Sequence, residues 1–148
     1  MNASMQVLEK IMKNREEWSV SPGQPASFTE ACTVNDCIAQ GDLNLVIMDS
    51  IPDDYNKVET LQDNHRQLVP GNNQGSKHCL AHLDGVELYY PKVWNEDSLV
   101  GPIMVLMQSN TVEHPTHGNV FIPAGFTVGT FYQREWDREL EKERRARD

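Results

Sequence analysis

Apolar residues fall into two textures along the chain. In the first forty residues they recur at helical spacing. Met5, Leu8 and Met12 share one face of a helix predicted over 4–18, with Ile11 beside them and Glu9–Lys13 as a favourable i,i+4 pair. Ser21-Pro22-Gly23-Gln24-Pro25 breaks that pattern. A second helix is predicted from there to Gly41. Ser27-Phe28-Thr29-Glu30 fits a capping box, Phe28, Ala31, Cys32 and Ile38 form a rough apolar stripe, and Gly41 is a natural stop.

Beyond Gly41 the apolar runs shorten and become β-branched. Leu43-Asn44-Leu45-Val46-Ile47-Met48, closed by Asp49 and Pro52, predicts a strand. Further strands are predicted at 67–69, 86–90, 103–107, 119–122 and 127–133. Turn signals separate them: Pro70 to Gly75, Asp84-Gly85, Gly101-Pro102, His117-Gly118 and Pro123-Ala124-Gly125. Asp84-Gly85 is the strongest local hairpin signal. From Trp136 the chain again looks helical, with Trp136 and Leu140 as its docking residues. The expected fold is mainly β: a small antiparallel sandwich or barrel with N-terminal helices and a charged C-terminal helix. The expected segments are a helical extension at 1–40, a β-rich body at 41–136 and a charged tail at 137–148.

Composition narrows the classes. The chain has 148 residues, room for one domain with a real core. Its net charge of −9 argues against a nucleic-acid or anionic-membrane binder. The tail from Arg134 mixes both signs, so the acidity belongs to the body, where it suits a cation or a basic partner. No apolar run is long enough to span a membrane, and the first residues make a poor secretion signal. Three sparse cysteines, Cys32, Cys37 and Cys79, read as reduced thiols, so a cytoplasmic location is expected.

The histidines carry the most chemistry. His114 and His117 stand in Glu113-His114-Pro115-Thr116-His117-Gly118, where Pro115 disfavours a helix and predicts a bend. Two imidazoles three residues apart on a bend can converge on one point. His78 follows the Gly-rich loop at the start of another stretch of extended chain. If those strands are neighbours, His78, His114 and His117 form a three-histidine set for a divalent metal such as zinc, iron or manganese, with Glu113 as a fourth ligand or supporting acceptor. Histidines in turns also commonly bond backbone groups and bind nothing, and no HExxH or HxH is present.

Other constellations are weak. Ser76, Ser98 and Ser109 lie in no GxSxG elbow. Cys79 adjoins His78, but neighbours on a strand face opposite ways. The Gly71–Gly75 stretch lacks the spacing and residue order of a phosphate loop. Asp49, Asp53 and Asp54 lack the spacing of a calcium loop. No catalytic residue is assigned.

Two likenesses follow from these residues. The Pro123-Ala124-Gly125 turn after an apolar strand resembles the Pro-x-Gly turn of cupin barrels. The HxH with a following Glu and the histidine after Pro-x-Gly that complete the cupin pattern are both missing. From Gly41 to Trp136, the order of elements resembles a group of small β-rich bacterial and mobile-element proteins without an assigned activity. Their loop reads Gly-His-x-His, their bend His-x-Glu-His and their close Gln-Arg-Glu-Tyr. Here the loop is Gly75-Ser76-Lys77-His78, keeping the second histidine. The bend is His114-Pro115-Thr116-His117 and the close is Gln133-Arg134-Glu135-Trp136. This resemblance implies a β fold and no reaction. Three functions are therefore expected: an accessory binding or assembly module that meets a protein partner or a second copy of itself, a metal-binding β domain or enzyme using the three histidines, and a structural component of a virion or mobile element.

Overall fold

A computed structural model describes residues 25–70, 77–95 and 98–132. The helix expected at 4–18, the Gly-rich loop at 71–76, the Gln133–Trp136 close and the terminal helix lie outside the described residues. Their regular secondary structure is almost entirely β. The strands are β1 (Ala26–Ser27), β2 (Cys37–Gln40), β3 (Leu43–Met48), β4 (Tyr55–Lys57), β5 (Cys79–Leu80), β6 (Val86–Pro91), β7 (Val100–Leu106), β8 (Asn110–Glu113), β9 (Val120–Ile122) and β10 (Thr127–Tyr132), with one short 3-10 turn at Asp63–Arg66.

They form two open sheets. One has four strands in the order β1-β9-β8-β5, the other six in the order β2-β3-β10-β7-β6-β4. All pairings are antiparallel except the parallel β1–β9 pair. Both sheets feed one buried cluster: Leu80, Val112, Val120 and Ile122 from the smaller, and Ile38, Leu43, Leu45, Ile47, Leu88, Met104, Leu106 and Val128 from the larger. The sandwich half of the expected fold therefore stands, and neither sheet closes into a barrel. In β3 five consecutive residues, Leu43 to Ile47, are buried, so this strand is covered on both faces, which explains a sequence that is apolar at every position but Asn44.

The second expected helix is replaced by strands and turns. Thr29, Thr33, Asn35 and Asp36 are weak helix formers, and the Asp36 side chain bonds nearby backbone instead. The Thr33 amide donates to Asp36 Oδ2 at 2.8 Å, and Asn35 adopts a left-handed φ of 75°. Ser27 caps no helix: its hydroxyl donates to the Phe28 carbonyl, while Ser27 itself pairs with Phe121 of β9. Cys37–Gln40 then pairs along β3 through a two-residue turn. Gly41 is the first central residue of that turn, and its φ of 58° suits glycine there.

One expected turn is absent, and two others stand as turns but join different sheets. Gly101-Pro102 lies inside β7, a central strand. Proline offers no amide to a ladder, and the register of β7 against β10 slips at this point, between Gly129 and Phe131. Gly101 is required because a Cβ there would collide with the hydroxyls of Tyr132 and Thr130. Asp84-Gly85 makes no hairpin but carries the chain from the smaller to the larger sheet, and Pro123-Ala124-Gly125 does the same between β9 and β10. The strand expected at 67–69 shrinks to one bridge, Gln67 to Cys79. Cys37 is buried, and Cys32 and Cys79 are half-buried free cysteines. Among the described residues no helix is long and apolar enough to cross a membrane.

Candidate metal centre

Three connections meet at one end of the smaller sheet. β5 pairs with β8 through Cys79–Glu113 and Leu80–Val112. One further step along that register sets His78 opposite His114. Because side chains alternate across a strand, the pair shares the inward face with Leu80 and Val112. His78 is 4 % exposed and His114 7 %. His117 follows in the β8–β9 turn and is exposed. Its ring lies over Gly41 of the β2–β3 turn, where a Cβ would come within 2.6 Å of His117 Cδ2. The larger sheet thus supplies one wall of the site and the smaller sheet its imidazoles.

The three rings form a compact triangle. Ring centres are 4.4 Å apart for His78–His114, 4.5 Å for His114–His117 and 6.5 Å for His78–His117. A triangle with those sides has a point about 3.3 Å from all three corners. A metal held at ~2.0–2.1 Å from an imidazole nitrogen lies about 3.2 Å from the ring centre. That point lies almost on the line between the His78 and His117 ring centres, so spacing alone does not make a ligand set, and the nitrogens decide what each ring can do.

Gln40 decides for His78. Its Nε2 donates to the carbonyls of Val112 at 2.9 Å and Gly118 at 2.7 Å, which orients the carboxamide and leaves Oε1 as an acceptor. His78 Nδ1 stands 2.7 Å from that oxygen and so carries the proton. Its Nε2 then holds a lone pair. Burial, followed by the charges of His114 and His117, pushes the His78 pKa down to about 3. His78 is thus neutral, and its outer nitrogen is fixed by a protein acceptor, the usual arrangement of a metal-ligating histidine.

His114 has the opposite arrangement. Its Nδ1 accepts the backbone amides of Thr116 at 3.1 Å and His117 at 3.2 Å, with the Thr116 hydroxyl at 3.4 Å. Two amide donors require an unprotonated Nδ1, so the ring proton sits on Nε2. Among the described residues no group of three His, Cys, Asp or Glu side chains is arranged to hold a metal ion.

Other expectations sort cleanly. Glu113 is exposed and lies on the opposite side of β8 from Val112 and His114, paired with Cys79. It is not placed as a fourth ligand, and Gln40 is the supporting acceptor instead. His65 accepts the Gln62 amide at 2.8 Å within the 3-10 turn. His82 accepts the Asp84 amide through Nδ1 and reaches the Ser109 carbonyl through Nε2. Both serve local structure. Gln40 escaped sequence reasoning because it fell at the end of an expected helix. Read as a strand, Ile38 and Gln40 share the inward phase, and a buried amide there is the signal.

No curated protein and no solved structure gives a match. A family model matches residues 39–128, a span that contains Gln40, Gly41, His78, His114 and His117. Since that span exceeds half of the chain, the protein belongs to the family described as Domain of unknown function (DUF8820), a group without an assigned activity.

Proposed function

We infer that this domain binds a first-row divalent metal ion through His78, His114 and His117, with zinc, iron and manganese as the candidate ions. The observation that carries the reading is the Gln40–His78 bond: it presents the His78 Nε2 lone pair beside two further imidazoles, in a ring kept neutral by burial. The acidic body favours a cation electrostatically. A metal held by three imidazoles keeps a position open for water or substrate and acts there as a Lewis acid.

The other expectations lack such an observation. Assembly through protein contacts draws on the acidic body and the helical ends; the helix expected at 4–18 and the terminal helix lie outside the described residues, and the one expected up to Gly41 is strand and turn. The described surface offers Val34, Val93, Met107 and Phe121 as exposed large apolar residues, far apart in sequence. A virion or mobile-element role rests on the short loop, bend and close motifs alone.

Elemental analysis of the full chain, purified without a histidine tag, tests the reading. Stoichiometric zinc, iron or manganese, with a melting temperature that falls on chelation, is expected. A metal-free protein that takes up no added ion and melts unchanged with chelator overturns it.

A further inference from the structure

The two sheets differ on the faces they turn away from each other. On the smaller sheet the outward positions Ser27, Glu113 and Phe121 are exposed. On the larger sheet they are closed. Register sets Cys37, Val46, Gly129 and Ile103 in one row across β2, β3, β10 and β7, and Met48 and Phe131 flank Gly129 on the same face. Val46 is 0 % exposed, Cys37 and Ile103 1 % and Phe131 4 %. None of these four belongs to the cluster between the sheets, because side chains alternate across each strand and theirs point the other way.

An apolar row in the middle of a sheet is buried only under a further layer. The described elements supply none on this side, since the smaller sheet packs on the other face. The burial is that of a single chain, which points to the chain's own remaining segments, and two are long enough: 1–24 and 133–148. Both join the described fold at the same end. The Ala26 amide donates to the Asn119 carbonyl, beside the turn whose His117 lies over Gly41, and Tyr132 pairs with Leu43, next to Gly41's own turn. Composition separates them. Segment 133–148 offers two large apolar residues, Trp136 and Leu140, whereas 4–18 sets Met5, Leu8, Ile11 and Met12 at helical spacing.

We propose that the outward face of the larger sheet is the docking surface of the chain's own N-terminal segment, with Met5, Leu8 and Met12 laid over Val46, Ile103 and Phe131. The lengths agree. As a helix, 4–18 is about 22 Å long, and the four strands of the buried row span about 14 Å. The chain from 18 to 25 reaches at most about 25 Å, more than the ~10 Å between packed layers. The N-terminal segment thereby closes a face that a partner or a second copy would otherwise find open. This inference is independent of the metal site.

Cys37 lies in the buried row and reports on its cover. The test is the rate of thiol modification in the full chain with Cys32→Ser and Cys79→Ser, so that Cys37 is the reacting thiol. Leu8→Glu should speed its modification by about tenfold or more, while Leu140→Glu and Lys10→Glu, on the opposite side of the helical pattern, leave it unchanged. An unchanged rate in folded Leu8→Glu overturns the proposal. So does a rise in Leu140→Glu instead, which assigns the face to the C-terminal segment, or a wild-type rate that falls as protein concentration rises, which assigns it to a second copy. A direct reading needs no variant at the interface: methyl NOE spectra of the labelled full chain should connect Met5 or Met12 to the Phe131 ring and the Val46 methyls. Their absence from a spectrum that resolves those methyls overturns the proposal even where Leu8→Glu fails to fold.

Discussion

His78 and His114 face each other one step beyond the β5–β8 pairing, with ring centres 4.4 Å apart, and carry their protons on opposite nitrogens. One ring is fixed by a side-chain acceptor and the other by two backbone donors. The two rings therefore differ in what they present: His78 keeps a bare Nε2, while the Nδ1 of His114 is engaged by backbone amides.

This opposition is directly measurable. Two-bond 15N–1H correlation of the metal-free protein at neutral pH should show His78 as the Nδ1–H form and His114 as the Nε2–H form. The same tautomer at both rings would contradict the assignment made from their partners.

Gln40 links the two sheets at the site. Gln40→Leu strands the carbonyls of Val112 and Gly118 and removes the acceptor of His78 Nδ1–H. Losing buried partners of this kind costs about 1–3 kcal/mol. Removing the group that orients a ligating histidine typically weakens metal binding by ~10–100-fold. Denaturant melts and metal titration of the variant should show both losses, whereas an unchanged affinity would detach Gln40 from the site.

The buried His78 also makes stability depend on pH. Its ring ordinarily protonates near 6.5, but in the fold only near about 3. Between those values the unfolded chain binds a proton that the folded chain refuses, so stability rises with pH across that window and falls as the solution is acidified through it. The slope from this residue approaches about 1.4 kcal/mol per pH unit. Equilibrium unfolding of metal-free wild type and His78→Asn between pH 6.5 and pH 4 should show a smaller loss in the variant, and parallel curves would refute the assignment.

Gly41 joins backbone conformation to the site. Gly41→Ala places a side chain at a φ of 58° and drives its Cβ into the His117 ring. The left-handed conformation costs roughly 1–2 kcal/mol for a non-glycine residue. A loss of that order in unfolding free energy, together with a displaced His117 resonance, is expected. A variant with wild-type stability would show that the turn relaxes freely.

How much of this was legible in the sequence follows the physics of each signal. Leu43–Met48 matched its strand to the residue, because an apolar β-branched run stopped by Asp49 and Pro52 is a local signal. The strands at Val86–Pro91 and Thr127–Tyr132 were likewise read within a residue. The helix expected up to Gly41 failed because the extended state of Cys37–Gln40 is set by pairing with β3, which spacing within the segment does not report. Gly101-Pro102 looked like a turn because its tolerance inside a strand depends on a register slip against β10, thirty residues away. The three histidines could be nominated from their bend and loop. Their convergence depended on β5 lying beside β8, and their tautomers on Gln40 and the Thr116 and His117 amides.

Zinc titration of the metal-free full chain, in parallel with His78→Ala, His114→Ala and His117→Ala, tests the central claim most directly. The account predicts one equivalent bound by the wild type and a loss of at least about tenfold in affinity in every variant. Zinc binding that survives intact in any of the three variants, or a wild type that takes up none of zinc, iron(II) and manganese(II), would contradict it.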